Sequence, residues 1–582
     1  MAAFLTSAVA KLNPFAKQER DEDDFGEAVE VDSVAGGGHA SRVSKITKEQ
    51  LRVSHALKTF LINNHILGPQ EVNLNVRDAE NSGALKEMLD NPHVHVPREV
   101  TSRGHPLTEY FISSSHNTYL LAHQLYGSSS AVAYETALSA GSRCVEIDAW
   151  DNSDHPDEPK VTHGWTLASR VSFRAVCETI RDVVDKEATQ PQETGYAPAP
   201  VLISLENHCG NHGQLRLVQI MREVWGDRLL SKAVRDEGKR EQTETGEHVD
   251  LTELGSKIAV IVEYHLPDEA ESDSSDDEDE DEQSRIDHEK WRKDKNQCAQ
   301  GIIIPELAEL GVYAQSVKPA NNSWFESVLQ DGPPHHLINV SESGLLGLDL
   351  ELNGPKIGTH NSQHLMRVYP KGTRISSKNL NPVPFWGVGA QICALNWQKF
   401  DASMQLNEAL FAGTDGYVLK PAALRAGGSG KLDSGKKKHL RMHVAGATDV
   451  PIPKDRDPED EIKPYVTCTL VHPDDVGNTP PKRKTSAYKQ HKLGIVHRGE
   501  QPPPTDPIWD EQLDWDFEEN ELVFLRILIK SDDKFARNPV QCVAAVRLSY
   551  VRSGEWVFVR MLNLKGKETH CTVLVKFEIT DA

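Results

Sequence analysis

The sequence predicts an α/β chain: a (β/α)8 TIM-type barrel in two halves, a short helical pair before it and an all-β sandwich after it. Three observations lead there. Short apolar runs alternate with amphipathic stretches over 106–265 and again over 301–421, and such alternation implies parallel strands joined by helical crossovers. Between the halves, the run 268–282 holds eleven carboxylates and no base, a composition that stays solvated. Beyond the flexible stretch Ala426-Gly427-Gly428-Ser429-Gly430, the runs Leu440/Met442/Val444, Val466/Cys468/Leu470 and Val573/Val575/Phe577 alternate with period two between Pro- and Asp-rich turns. That is the pattern of an antiparallel sandwich.

A chain of 582 residues has room for several domains, at roughly one per 150 residues. The net charge of -23 argues against nucleic acid as a partner. No run approaches the roughly 18 apolar residues of a membrane span, so an integral membrane protein is not expected. Eight cysteines are scattered without a CxxC pair, which fits the reducing cytoplasm.

Taken in order, residues 1–45 read as a disordered tail, acidic over 19–24 and then carrying Gly36-Gly37-Gly38. Its start carries Phe4, Leu5, Val9, Leu12 and Phe15 with Lys11 and Lys17. A floppy end and a weak interfacial anchor both fit. Over 46–105, the spacing of Leu51, Ala56, Leu57, Phe60 and Leu61 predicts a helix from Thr47, with a second at 84–89. No Asp-rich, Gly-centred calcium loop joins them. Barrel strands are expected at 110–113, 144–149, 201–205 and 258–262, with a helix at 173–184. After the acidic linker (266–300), strands are expected at 311–317, 366–369, 391–395 and 416–419. A connector at 422–435 leads to the sandwich, 436–582.

Three acids follow apolar strand segments: Glu146, Asp148 and Glu206. Strand side chains alternate faces, so Glu146 and Asp148 point one way while Val145 and Ile147 point the other. Like charges on one face call for a cation, and Asn117 adds an amide oxygen. An all-oxygen donor set favours Ca2+ or Mg2+ over Zn2+. A single acid is more often a helix cap or a surface ion pair. Three at the ends of barrel-type strands lie on the face where barrel active sites form. His116 and His163 sit in separate strand–loop junctions, placed to divide general-acid and charge-stabilising work on a phosphodiester. Arg367 and Tyr369 share a strand face and suit a phosphate and a ring; a cross-strand structural pair fits the same spacing.

The segment Phe111-Ile112-Ser113-Ser114-Ser115-His116-Asn117-Thr118-Tyr119-Leu120 closely resembles the opening motif of the eukaryotic phosphoinositide-specific phospholipases C. So do 143–150, 203–209, 367–369 and Gly416-Tyr417-Val418-Leu419-Lys420-Pro421. The resemblance covers roughly residues 105–582 in family order, X half (106–265), linker, Y half (301–421) and C2 domain. It is closest to the compact delta-like form; no pleckstrin-homology domain fits in the first hundred residues, and the pair at 46–105 resembles a remnant of the EF-hand region. The resemblance implies a calcium-dependent enzyme that cleaves phosphatidylinositol or its phosphates to diacylglycerol and an inositol phosphate through a cyclic intermediate. Asn117, Glu146, Asp148 and Glu206 match its Ca2+ ligands. His116 would stabilise the pentacoordinate phosphorus and His163 protonate the departing oxygen. Ser316 and Arg367 match headgroup-phosphate contacts and Tyr369 the inositol ring, while Leu125, Trp165 and Leu167 fall at the apolar ridge that dips into the bilayer. The implied protein is a cytoplasmic monomer that docks peripherally on a phosphoinositide-containing membrane surface.

The departures from the family pattern are specific. Two lysines for the 4- and 5-phosphates are replaced by Ile261-Val262-Glu263-Tyr264-His265, which predicts a weaker preference for the 4,5-bisphosphate. Thr373 stands where the ridge has a tryptophan. Lys463 and Ser531 stand at C2 calcium-ligand positions, with Asp506, Asp532 and Asp533 nearby, so the sandwich is expected to brace the barrel. The basic loop from Lys482-Arg483-Lys484 to Lys492 fits anionic lipid or plain solvation. The acidic linker, with Ser272, Ser274 and Ser275 in phosphorylation-like context, is expected to oppose docking on an anionic leaflet. Two rivals stay open: a catalytically silent lipid-binding scaffold and a metal-dependent glycerophosphodiesterase.

Overall fold

The computed structural model describes residues 46–74, 81–121, 128–162, 170–191, 198–235, 248–266, 303–319, 321–329, 331–371, 379–452, 462–476, 479–490, 501–532 and 540–582. The tail 1–45, the acidic linker 268–282, and Leu125, His163, Trp165, Leu167, Thr373, Lys492 and Asp533 lie outside the described residues.

Eight parallel strands close a ring: β1 Tyr110–Ser115, β2 Cys144–Trp150, β3 Val201–His208, β4 Ile258–Glu263, β5 Gln315–Val317, β6 His336–Ser341, β7 Leu365–Tyr369 and β8 Ile392–Leu395. Each pairs with the next, and β1 pairs with β8 on one side and β2 on the other. The (β/α)8 barrel read from the alternation is therefore present, and its two halves meet at the β4–β5 and β8–β1 seams. Helices pack outside it, among them α3 Val132–Ser139, α4 Phe173–Thr189, α5 Asn211–Trp225, α6 Leu350–Asn361 and α7 Ala402–Phe411; α1 His55–Asn63 and α2 Gly83–Asp90 precede the barrel.

Strand alternation sorts the barrel into layers. On β2, Val145 and Ile147 face outward into a cluster with Phe173, Val176 and Ile180 of α4. The inward residues begin apolar: Ile112, Leu202, Ile261, Leu337, Leu365 and Ile392 share one cluster at the N-terminal end of the ring. Further along the same inward faces come Ser114 and Ser204, both buried. The C-terminal end carries Glu146, Asp148, Glu206 and Arg367. An apolar floor thus supports a charged rim, the end where barrels carry their chemistry.

Two expectations need correction. Residues 416–419 do not form a parallel barrel strand: Tyr417–Leu419 runs antiparallel to β1, with Tyr110 opposite Leu419. The missing barrel strand is β6, whose His336 and Asn339 dilute its apolar signal. The first helix also starts later than Thr47. A single 3-10 turn, Lys48–Gln50, is followed by extended backbone whose Leu51 and Val53 are buried, and α1 begins after Ser54, whose hydroxyl accepts from the Leu57 N–H at 3.2 Å.

The C-terminal sandwich has strands β9 Lys437–Thr448, β10 Pro464–Val471, β11 Lys482–Lys484, β12 Ile508–Glu518, β13 Phe524–Ser531, β14 Val540–Arg547, β15 Trp556–Leu562 and β16 Glu568–Asp581. They form one antiparallel ladder in the order β11-β10-β13-β14-β15-β16-β9-β12. Phe524, Leu528 and Val543 join the apolar cluster that contains Trp386, Met404 and Phe411 of the barrel side. Arg526 Nε donates to Gln405 Oε1 at 2.6 Å in the same contact. The helical pair packs on the sandwich too, Leu57, Phe60 and Leu85 against Ala445, Phe558 and Leu574. Among the described residues no helix is long and apolar enough to cross a membrane.

At the start of β2, Arg143 makes a buried bidentate pair with Glu187 of α4, two N–H···O bonds of 2.8 Å. Arg143→Ala strands that carboxylate in the interior, and we expect it to lower unfolding free energy by about 3–5 kcal/mol in denaturant titration. A change below about 1 kcal/mol, the range of an exposed pair, contradicts this assignment.

Candidate active site

Parallel register brings the acids together. On β2 and β3, Asp148 sits directly opposite Glu206 and Glu146 opposite Ser204. Carboxylate oxygens of Glu146, Asp148 and Glu206 all lie within 4.8 Å of one another. Asn117 joins them from the turn after β1. Its backbone is left-handed at φ 46°, a conformation Asn tolerates better than most residues, and this aims its N–H at Glu146 Oε2, 2.6 Å away. Tyr119 donates its hydroxyl to Asp148 Oδ2 at 2.6 Å and approaches Asn117 Oδ1 at 3.2 Å.

The counter-charge comes from the other half of the barrel. Arg367 on β7 donates Nη2 to Glu146 Oε1 at 2.5 Å and Nη1 to Asn339 Oδ1 at 3.1 Å. Tyr369 lies under the guanidinium, 5.7 Å from ring centre to Cζ. One arginine faces three acids, Glu146 and Asp148 buried and Glu206 half-buried, and the imbalance is visible in the ionisation of Asp148 and Glu206. Burial, then the charges of Glu206 and Glu146, drive Asp148 well above the usual carboxylate range. Burial, then Glu146, also raises Glu206, against the pull of Arg367. Asp148 Oδ1 is buried with no hydrogen-bond partner. An orphaned carboxylate oxygen among three converging acids fits a hard cation with oxygen ligands. Glu146, Asp148 and Glu206, with the Asn117 amide beside them, are the residues placed to hold it.

His116 stands at the edge of this cluster, Nε2 4.0 Å from Glu146 Oε2. Its Nδ1 bonds Asn396 Oδ1 at 2.9 Å. An amide oxygen only accepts, so Nδ1 carries the proton and Nε2 faces the site with a lone pair. Burial, then the nearby Arg367, lowers the His116 pKa to about 4. The loop carrying Asn117 is pinned by Gln398, whose amide donates to the Leu120 carbonyl at 3.0 Å and the Asn117 carbonyl at 3.3 Å. Ser316 lies on β5 with Glu263 on one side and Leu337 on the other, so it shares their inward face.

The structure therefore brings His116, Asn117, Glu146, Asp148, Glu206, Arg367 and Tyr369 into one place and sets Ser316 across the same interior. Arg367 reaches carboxylate and amide rather than open space. Tyr119, Asn339, Asn396 and Gln398 escaped sequence reading. Tyr119 alone had a signal, two residues from Asn117; the others matter only through contacts across 28 to 281 residues of chain.

Known proteins share this plan. Residues 103–264 match the phosphatidylinositol-specific phospholipase C X domain, 307–423 the Y domain and 438–556 the C2 domain. A barrel carrying this rim, split and followed by this sandwich, defines the class, and the chain belongs to the phosphatidylinositol-specific phospholipase C family. It is 32% identical over 465 residues to 1-phosphatidylinositol 4,5-bisphosphate phosphodiesterase delta-3 of Mus musculus, covering 78% of this chain and 54% of that protein. It is 28% identical over 569 residues to 1-phosphatidylinositol 4,5-bisphosphate phosphodiesterase 1 of Candida albicans, covering 86% and 50%. The chain thus spans about half the length of the curated relatives it matches. The crystal structure of S. officinalis PLC21 superposes with a TM-score of 0.67 at 24% identity, over 90% of this chain and 62% of that one, and shares the fold.

Raised carboxylate pKa values mean that ionisation opposes folding. The cost is absent below the ordinary carboxylate range and fully present above the raised values. In chelator at neutral pH, Glu206→Gln removes one like charge and should raise Tm by a few degrees. The gain should fade as the wild type is acidified toward the ordinary carboxylate range. An unchanged or lower neutral-pH Tm contradicts the charge imbalance.

Proposed function

We propose that this protein is a calcium-dependent phosphoinositide phospholipase C, acting peripherally at a cytoplasmic membrane surface as a monomer. One observation carries the reading: three converging carboxylates, Glu146 and Asp148 buried and Glu206 half-buried, with the unpartnered Asp148 Oδ1, on the C-terminal rim of a barrel of this family. A Ca2+ ion bound there would supply Lewis acidity toward the inositol 2-hydroxyl, lowering its pKa. Glu146, Asp148, Glu206 and Asn117 would hold it, and a rim carboxylate is placed to take the hydroxyl proton. His116, fixed by Asn396, presents its Nε2 edge to the phosphate. The arriving phosphodiester monoanion favours the imidazolium, which then offers a proton to the oxygens of the pentacoordinate phosphorus. His163 is the acid for the diacylglycerol oxygen, on the family pattern. Tyr369 and Ser316 belong to the headgroup subsite, with Leu125, Trp165 and Leu167 as the apolar ridge. Both His116 and the carboxylate set are retained, which favours an enzyme over a silent scaffold.

Headgroup choice follows from charge. Glu263 shares an inward register with Ser316, and a carboxylate there disfavours extra phosphates. The preference for the 4,5-bisphosphate is accordingly weakened, and phosphatidylinositol or its monophosphate is relatively better used.

The sandwich braces rather than switches. Arg52, from the extended segment before α1, places Nη2 2.6 Å from Asp449 Oδ1 and 2.7 Å from Asp506 Oδ1. Both acids sit at the loop end of the sandwich where Lys463 and Ser531 also lie, Lys463 N–H donating to Ser531 Oγ at 3.0 Å. The Arg52 guanidinium already serves two of the acids at that end, Asp449 and Asp506. The exposed edge strand β11, Lys482-Arg483-Lys484, adds a basic contact for anionic lipid.

Three measurements test this. On phosphatidylinositol vesicles, wild type should hydrolyse lipid only with Ca2+ present, and His116→Ala and Glu206→Gln should each lose about 10²–10⁴-fold in kcat; chelator-resistant activity sinks the proposal. Assayed side by side, the 4,5-bisphosphate should show no strong advantage over phosphatidylinositol, and a strong one overturns the role given to Glu263. In calorimetric titration of the full chain, the only Ca2+ binding should vanish with Glu206→Gln. Tight binding that survives in the variant refutes the bracing role of the sandwich.

A further inference from the structure

The opposite end of the barrel holds a second cluster. His336 opens β6, His364 immediately precedes β7, and His360 lies in the last turn of α6. Register explains the meeting: Leu337 pairs with Leu365, so the residues just before them, His336 and His364, stand side by side. The His364 N–H donates to the His360 carbonyl at 3.0 Å, which continues the helical turn and puts both histidines on one face at i, i+4. Ring nitrogens of all three lie within 4.8 Å of one another. Nothing in the phospholipase chemistry uses them, since the N-terminal face of a barrel reads as stability.

The tautomers are fixed by what each ring touches. His336 Nδ1 faces the Pro333 carbonyl at 3.3 Å, so it donates and Nε2 is left with a lone pair. His360 Nδ1 faces Asn361 Oδ1 at 3.0 Å. The Asn361 amide is oriented by its Nδ2 donating to the Val388 carbonyl at 2.9 Å, so Oδ1 accepts there and His360 Nε2 also carries a lone pair. These two Nε2 atoms are 3.0 Å apart. Two lone pairs at that distance repel unless something positive lies between them. A shared proton is one answer and a metal ion is the other. His364 Nδ1 is buried with no partner at all.

We propose that His336, His360 and His364 form a transition-metal site, with Zn2+ the ion it takes. Three neutral imidazoles suit zinc or copper and reject Ca2+ and Mg2+. The Nε2 separation is close to the about 3.3 Å between two nitrogens on tetrahedral zinc. The spacing His360-x-x-x-His364 matches helical zinc ligands. The Nε2 atoms of His336 and His360 have the outer support that metal-bound histidines use, each Nδ1–H held by an oxygen. Imidazoles ligate in the ring plane, and His364 is stacked face to face on His336, centroids 3.7 Å apart and 17° between planes. Closing on the ion therefore turns His364 about its side-chain bonds to bring a nitrogen inward, leaving a fourth position for water. The ion joins the start of β6 to the end of α6, a staple for the Y half independent of the catalytic rim.

The test uses the purified full chain stripped of metal and titrated with Zn2+ against a chromophoric chelator. Wild type should take up about one equivalent more than His360→Gln or His364→Phe, because removing one of three ligands breaks the set. His364→Phe keeps an aromatic ring on His336, and near-ultraviolet circular dichroism confirms that each variant is folded. Zinc held elsewhere, including at the rim carboxylates, cancels in this difference. X-ray absorption on the wild type should show imidazole ligands around the extra ion. Equal uptake in wild type and a folded variant, or uptake without imidazole ligation, overturns the proposal and leaves a proton shared between His336 and His360.

Discussion

The ion pair between Glu146 and Arg367 spans 221 residues of chain and joins the two halves of the barrel at its charged rim. Three acids converge there in the interior, where like charges are expensive to hold ionised. Much of the surrounding architecture can be understood as making that tolerable. Arg367 supplies one positive charge, the Asn117 N–H and the Tyr119 hydroxyl supply hydrogen bonds, and a remaining carboxylate oxygen is left for a cation. Remove the arginine and the acids must protonate or the rim must open.

The same joining of halves recurs around the pair. His116 is held by Asn396, the Asn117 loop by Gln398, and the Ser114 carbonyl by the Trp397 indole N–H at 3.0 Å. Three consecutive residues after β8 thus fix the end of β1 and the turn that follows it. An insertion between β4 and β5 is compatible with this because the seam it interrupts lies away from the β8–β1 closure. The charged rim depends on ring closure at the β8–β1 seam, and the acidic run lies between β4 and β5 in the sequence.

Outside the barrel, the helical pair and the sandwich form a brace rather than a chain of loose modules. Apolar contacts carry most of it, from Phe60 on Phe558 and Leu574 to Trp386 beside Phe524. Arg52 adds a charged clasp on Asp449 and Asp506. This clasp draws sandwich loop acids into the protein's own structure, a use that competes with cation binding at the same place.

Strand periodicity told from sequence alone that Glu146 and Asp148 share a face, that a split barrel precedes a sandwich, and that an oxygen-rich site lies at strand ends. Those conclusions rest on local rules, alternation and composition, that need no knowledge of neighbours. Strand β6 was missed because His336 and Asn339 break its apolar run, and 416–419 was misplaced because an apolar triplet does not reveal which way it pairs. Only the tertiary structure set Asp148 opposite Glu206, turned Arg367 onto Glu146, chose the His116 tautomer through Asn396, and stacked His336 on His364. Each of these is a contact between segments far apart in the chain, fixed by register and ring closure, and neither quantity is encoded in any single stretch of residues.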